Sequence, residues 1–196
     1  MESSLAVKEA AAIILEGGIV AFPTETYYGL AVDPFNRQAL DRLFALKQRS
    51  LSKPVLTIIE NQAQLSTITT GIPPRFNPLM ARFWPGPLTL IFDARSELPA
   101  RITAASGTIG ARISSHSLAH ALVKAVGRPI TATSANISGQ PPALDAARLR
   151  AIFGRGLDYI LDGGLTPGGQ GSTIIGCQGD ELRLLRPGVI KVPVNG

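Results

Sequence analysis

Ile19-Val20-Ala21-Phe22-Pro23-Thr24-Glu25-Thr26-Tyr27-Tyr28-Gly29-Leu30 runs from four apolar residues straight into a polar segment marked by proline and glycine. It reads as a buried strand that delivers a loop. Upstream, Ser4 is placed to cap a helix with Val7, Ala10, Ala11 and Ile14 on one face, and Gly17-Gly18 stops it. Downstream, Asn36 caps a second helix carrying Leu40, Leu43 and Phe44, which ends close to Lys47 and Arg49.

The same alternation continues. Strands are expected over 55–59, 88–92, 108–113 and 130–133, a short helix over 79–83, a helix marked by Leu118, Leu122 and Ala125, and another over 145–153. Short strands follow at 159–161, 173–175, 181–185 and 189–192. Helices alternate with strands early and strands dominate late, so the fold class is α/β (or α+β), with one large mixed sheet in a single domain over 1–196.

Composition narrows the function classes. The chain has 196 residues, 45% hydrophobic and 17% charged, enough for a sizeable core. A net charge of +5 suits phosphate-bearing partners without naming one. The single cysteine, Cys177, excludes an internal disulfide and a four-cysteine zinc site, and fits a reducing, cytoplasmic setting. The first eighteen residues lack the basic start and unbroken apolar core of a signal peptide, and no apolar run is long enough to span a membrane.

Common nucleotide and hydrolase signatures are absent: no Gly-x-x-x-x-Gly-Lys, no Gly-x-Gly-x-x-Gly, no Gly-x-Ser-x-Gly. His116 and His120 have a zinc-compatible spacing, but Ser117 stands where a zinc protease would carry glutamate, so a capping or surface role is expected and no metal site. Three polar segments follow apolar strands or helices: 23–30, the cation cluster Lys47-Gln48-Arg49-Ser50-Leu51-Ser52-Lys53, and Thr131-Ala132-Thr133-Ser134-Ala135-Asn136-Ile137-Ser138-Gly139. Each has a bland reading, as a rigid turn, a solvated helix end or an Asx-type turn. Their hydroxyls, amides and cations also suit phosphate and ribose oxygens. A glycine-dense stretch over 163–173 permits close backbone approach to a ligand or a mobile loop.

Taken in order, Phe22-Pro23-Thr24-Glu25-Thr26-x-Tyr28-Gly29-Leu30, Lys47-x-Arg49, Trp84-Pro85-Gly86-Pro87-Leu88-Thr89, Ser134-Ala135-Asn136-x-Ser138-Gly139, Gly171-Ser172-Thr173 and Leu185-Arg186-Pro187-Gly188 resemble the YrdC family over essentially the whole chain. The resemblance implies a twisted sheet, flanked by helices, curved around a basic cavity. It implies a nucleotidyltransferase reaction in which L-threonine, bicarbonate or CO2, and ATP give threonylcarbamoyl-AMP and pyrophosphate, for threonylcarbamoyl-adenosine modification of tRNA. A separate tRNA transferase complex performs the second step, and weak binding of tRNA or double-stranded RNA is a further expectation.

By the same resemblance, Lys47 and Arg49 are the expected catalytic charges. Thr24, Arg112, Ser134 and Ser172 are expected on threonine, and Lys47, Lys53, Thr108, Asn136 and Arg186 on ATP. Mg2+ is expected on the ATP phosphates and not on the protein, because few acids stand near these motifs; Glu25 and Asp162 are the two to watch. Ser50 replaces a proline common after the Lys-x-Arg motif, and Leu144 falls where longer members carry a polar side chain. The end at Gly196 matches the short bacterial form. The rival readings are a YciO-type paralogue and an RNA-binding or ribosome-assembly protein.

Overall fold

The structure, a computed structural model, describes residues 2–50 and 54–192. Its elements are α1 (Glu2–Leu15), β1 (Val20–Phe22), β2 (Gly29–Ala31), α2 (Arg37–Lys47), β3 (Leu56–Ile58), α3 (Asn77–Phe83), β4 (Leu88–Asp93), α4 (Ala100–Thr103), β5 (Thr108–Arg112), α5 (Ser117–Val126), β6 (Ile130–Thr131), β7 (Thr133–Ser134), α6 (Ala146–Phe153), β8 (Tyr159–Ile160), β9 (Thr173–Gln178) and β10 (Glu181–Arg186). Among the described residues no helix is long and apolar enough to cross a membrane.

The mixed α/β order stands, but the single large sheet expected from the sequence is two. One has the order β7-β2-β1-β8 and the other β10-β9-β4-β5-β3-β6, each mixing parallel and antiparallel pairs. Residues 130–134 join them. The Thr131 N–H donates to Val32 O at 3.1 Å and the Ala132 N–H to Leu56 O at 2.7 Å, so one extended segment is shared between the sheets. A change of partner in mid-strand leaves no mark on hydrophobic periodicity, which is why the sequence reads as one sheet.

β1 is buried on both faces, as a short apolar run between two layers must be. Ile19 and Ala21 belong to the larger core with Tyr28, Leu40, Leu43 and Phe44. Val20 and Phe22 belong to a second core in which Val7, Ala10 and Ile14 of α1 meet Leu122 and Val123 of α5. Burying each such large side chain contributes about 1.5–3 kcal/mol. Gly17, at φ +89°, lies just past the C-terminus of α1 and ends that helix as expected.

Two further expectations are corrected. α1 already begins at Glu2, so Ser4 lies inside its first turn and does not cap it. Residues 189–192 form no strand; Val189 N–H donates to Gly171 O and Ile190 bonds Thr173 through its hydroxyl, a side-chain clasp that replaces a ladder. Gly29–Ala31, read only as the end of a polar motif, is a strand paired with β1.

Candidate active site

The two sheets face a cavity of about 540 Å3. Lys47 closes α2, whose C-cap Gln48 takes the left-handed conformation (φ 49°) and turns Arg49 toward that cavity. The Lys47 side chain goes the other way. It is 1% exposed, and its ammonium donates to Ser134 O, to Asn136 O at 2.7 Å and to Asn136 Oδ1 at 3.1 Å. Ser134 Oγ also donates to Asn136 Oδ1 (2.7 Å), and Asn136 Nδ2 donates to Gln140 O (2.6 Å). Lys47 therefore pins the polar loop to the end of α2, the opposite of a solvated helix end.

Burial, and then the neighbouring charge of Arg49, pushes Lys47 from 10.5 down to about 7. An unfolded chain binds this proton more tightly than the folded one between about pH 7 and 10.5, so this group makes the fold more stable as pH rises through that window. A denaturation series across it should show that gain in the wild type and lose it in Lys47→Met.

Arg112 ends β5 and is 7% exposed. Its guanidinium lies 3.2 Å from Glu25 Oε1, an ion-pair contact without hydrogen-bond geometry. Burial lowers its proton affinity and Glu25 opposes that shift; an arginine stays charged regardless. Across the cavity Arg186 donates through Nε and Nη2 to Ser172 O (3.2 and 2.7 Å) and through Nη2 to Ser172 Oγ (3.0 Å). Ser172 Oγ also accepts from Thr89 Oγ1 at 2.9 Å, so its own hydrogen remains for a ligand. Thr24 also lines the cavity, but its hydroxyl is tied into its own turn: it donates to Tyr27 O (2.7 Å) and accepts from Thr26 N–H (3.2 Å), with Thr26 Oγ1 3.1 Å away.

Gly188 explains the close approach of the 171–173 and 186–188 motifs. A Cβ there would stand under 3 Å from Gly171 O, Ser172 C and Thr173 N, all backbone atoms that cannot swing aside. Gly188→Ala is expected to cost on the order of 3 kcal/mol, read as a lower denaturant midpoint, and to part Arg186 from Ser172.

Of the residues expected from sequence, Thr24, Arg49, Arg112, Ser134, Ser172 and Arg186 line this one cavity. Lys47 and Asn136 stand behind it, building its wall. Thr108 shares a face of β5 with Arg112 but is four residues away, roughly 13 Å along the strand; it is bonded to Ser106 and outside the cavity lining. Lys53 lies outside the described residues. Asp162 turns its own loop, accepting from Gly164 N–H at 3.0 Å.

Sequence reasoning missed the apolar floor. Leu56 and Ile91 both pair with Gly110, and with Ile174 and Leu185 they line the cavity. A Cβ at Gly110 would meet Leu56 Cδ2 and come within 3.0 Å of Ile91 Cδ1, so its absence lets the two side chains close over the strand. The register could not be read without knowing which strands are neighbours. Also missed is Tyr28, fully buried, whose hydroxyl donates to Gly164 O (2.9 Å) and accepts from Gly163 N–H (3.0 Å). With Thr26 O accepting from Gly168 N–H and Tyr27 bonding Gly169 O, it ties the glycine-dense stretch to the cavity rim. His116 is the N-cap residue of α5, with no capping bond from its side chain. Among the described residues no group of His, Cys, Asp and Glu could hold a metal ion.

The Sua5/YciO/YrdC family, which carries the description "telomere recombination", matches residues 12–188. The chain belongs to that family. It is 38% identical over 161 residues to the threonylcarbamoyl-AMP synthase of Coxiella burnetii, covering 82% of this chain and 87% of that one. It superposes on Pyrococcus abyssi Sua5 in complex with L-threonine with a TM-score of 0.91 at 38% identity, covering 94% of this chain and 54% of that one. On E. coli YciO the TM-score is 0.85 at 26% identity, covering 95% and 90%. The chain spans about half the length of the longer curated relatives that it matches.

Proposed function

We propose that this protein is a threonylcarbamoyl-AMP synthase, joining L-threonine, bicarbonate or CO2, and ATP with release of pyrophosphate. The observation that carries the reading is the convergence of Arg49, Arg112 and Arg186 with the hydroxyls of Thr24, Ser134 and Ser172 on one cavity, whose described lining contains no carboxylate. Such a site is short of negative charge, and its volume lies in the range of small-molecule pockets. Relatives of that name at about 38–40% identity support it over the YciO-type paralogue, which is less similar.

In the reaction, the threonine nitrogen bonds the carbon of CO2 and gives up a proton. A carboxylate oxygen of the resulting carbamate then bonds the α-phosphorus of ATP, while the bond from that phosphorus to the bridging oxygen breaks and pyrophosphate leaves with the electron pair. Charge collects on phosphate oxygens, so catalysis is positioning plus electrostatic stabilisation. Arg112 grips the threonine carboxylate as a two-pronged donor, and Arg49 and Arg186 face the phosphates. Lys47 and Asn136 fix the Ser134 loop, and Lys53 extends the ATP site.

The donor set does not suit a resident metal, because the cavity offers guanidinium groups and no described carboxylate. Mg2+ enters with ATP as part of the substrate. The adenylate passes to a separate tRNA-modifying transferase, and the work is done in the cytoplasm.

Labelled bicarbonate tests the proposal. Label should enter an AMP-containing product only when threonine is present; threonine and ATP that leave all label in bicarbonate would overturn it, and salt-sensitive RNA binding in that case would favour the RNA-binding alternative. Replacing threonine with serine removes one methyl group and should lower kcat/KM by about 10–200-fold.

A further inference from the structure

We propose that Glu25 is a positioning residue that holds Arg112 in place for the substrate carboxylate, an inference that rests on the threonine reading above. Arg112 is nearly buried, yet among the described residues its guanidinium donates no hydrogen bond; its one partner is Glu25 Oε1 at 3.2 Å. That oxygen is itself buried and makes no hydrogen bond. The contact supplies opposite charge without occupying any of the five N–H donors. The side of the fork that faces the cavity is left for a ligand.

The carboxylate is fixed from its other side. Ser114 Oγ donates to Glu25 Oε2, and the same hydroxyl accepts from His116 N–H at 3.2 Å, so Ser114, 1% exposed, is itself locked. Ser114 stands two residues beyond Arg112, so the end of β5 grips both oxygens of Glu25. Glu25 lies in the loop that leaves β1, in the other sheet, next to Thr24. The pair therefore ties the two walls of the cavity together at the point where Thr24 and Arg112 both face it. Besides Arg112, Glu25 acts on His116, raising its proton affinity against the lowering by burial.

A residue that orients Arg112 should move threonine recognition more than chemistry. Glu25→Gln keeps the shape and removes the charge: KM for threonine is expected to rise roughly tenfold, with kcat and KM for ATP within about twofold of the wild type. Glu25→Asp, which restores the charge at a longer reach, should recover part of that loss. Ser114→Ala should shift KM for threonine in the same direction by a smaller factor. A Glu25→Gln protein of lower melting temperature and unchanged KM for threonine would overturn the proposal, as would equal rises in both KM values.

If Glu25→Gln does not fold, Ser114→Ala decides: an unchanged KM for threonine refutes the role. Failure of the parent reading shows separately, as a wild type that releases no pyrophosphate with threonine. Calorimetric titration of L-threonine into wild type and Glu25→Gln then judges Glu25 alone, and equal affinities, or no binding by either, overturn it.

Discussion

Arg112→Lys is expected to lower kcat/KM for threonine by about 30–150-fold while leaving the folded state nearly as stable as the wild type. The substitution keeps a cation beside Glu25, 3.2 Å away in the wild type, so no buried acid is stranded. What it removes is the planar fork. A lysine ammonium is a point charge and cannot present two parallel N–H groups to a carboxylate; loss of such a pair is worth about 2–3 kcal/mol, or roughly two decades in rate. Alanine would be a poorer probe, because it would also leave Glu25 uncompensated in a site where its carboxylate is almost entirely covered. Steady-state kinetics with threonine varied, beside a denaturation curve, reads both halves of the prediction. A lysine variant with wild-type kcat/KM would remove Arg112 from the site.

Lys47→Met should be the most destabilising of the site substitutions. Its ammonium satisfies two backbone carbonyls and an amide oxygen in the buried loop, at Ser134 and Asn136. Methionine keeps the volume and leaves those acceptors without that donor, at a cost of about 3 kcal/mol and a fall in melting temperature of roughly 6–12 °C. Turnover should fall with it, since Ser134 lines the cavity and is held there by the same loop. The two effects must travel together. A Lys47→Met protein that is fully stable and inactive would mean that Lys47 reaches the substrate directly, as the resemblance to the family first implied.

The sequence made local structure legible where the cue was local. Asn36 caps α2 through a side-chain bond to the Ala39 N–H, as expected, whereas Asp145, read as the first residue of the next helix, is its cap and accepts from the Arg148 N–H. The apolar run at 88–92 is β4 to within one residue. What stayed hidden depends on partners far along the chain. Lys47 and Asn136 are 89 residues apart, and nothing in either neighbourhood says that the lysine turns inward. Glu25 and Ser114, likewise 89 residues apart, meet only because β1 and β5 bring their loops together. The apolar floor needed the register of β3, β5 and β4 around Gly110, which no periodicity encodes. The motifs named most of the cavity lining, and the fold decided which of those residues face the ligand and which hold the wall.

Pyrophosphate release from ATP by the purified protein, with bicarbonate and Mg2+ and with L-threonine present or omitted, tests the central claim most directly. Release that requires both threonine and bicarbonate, and that falls in Arg112→Lys, is the predicted result. Release that is indifferent to threonine, or no release from a protein whose fold is intact, would contradict it.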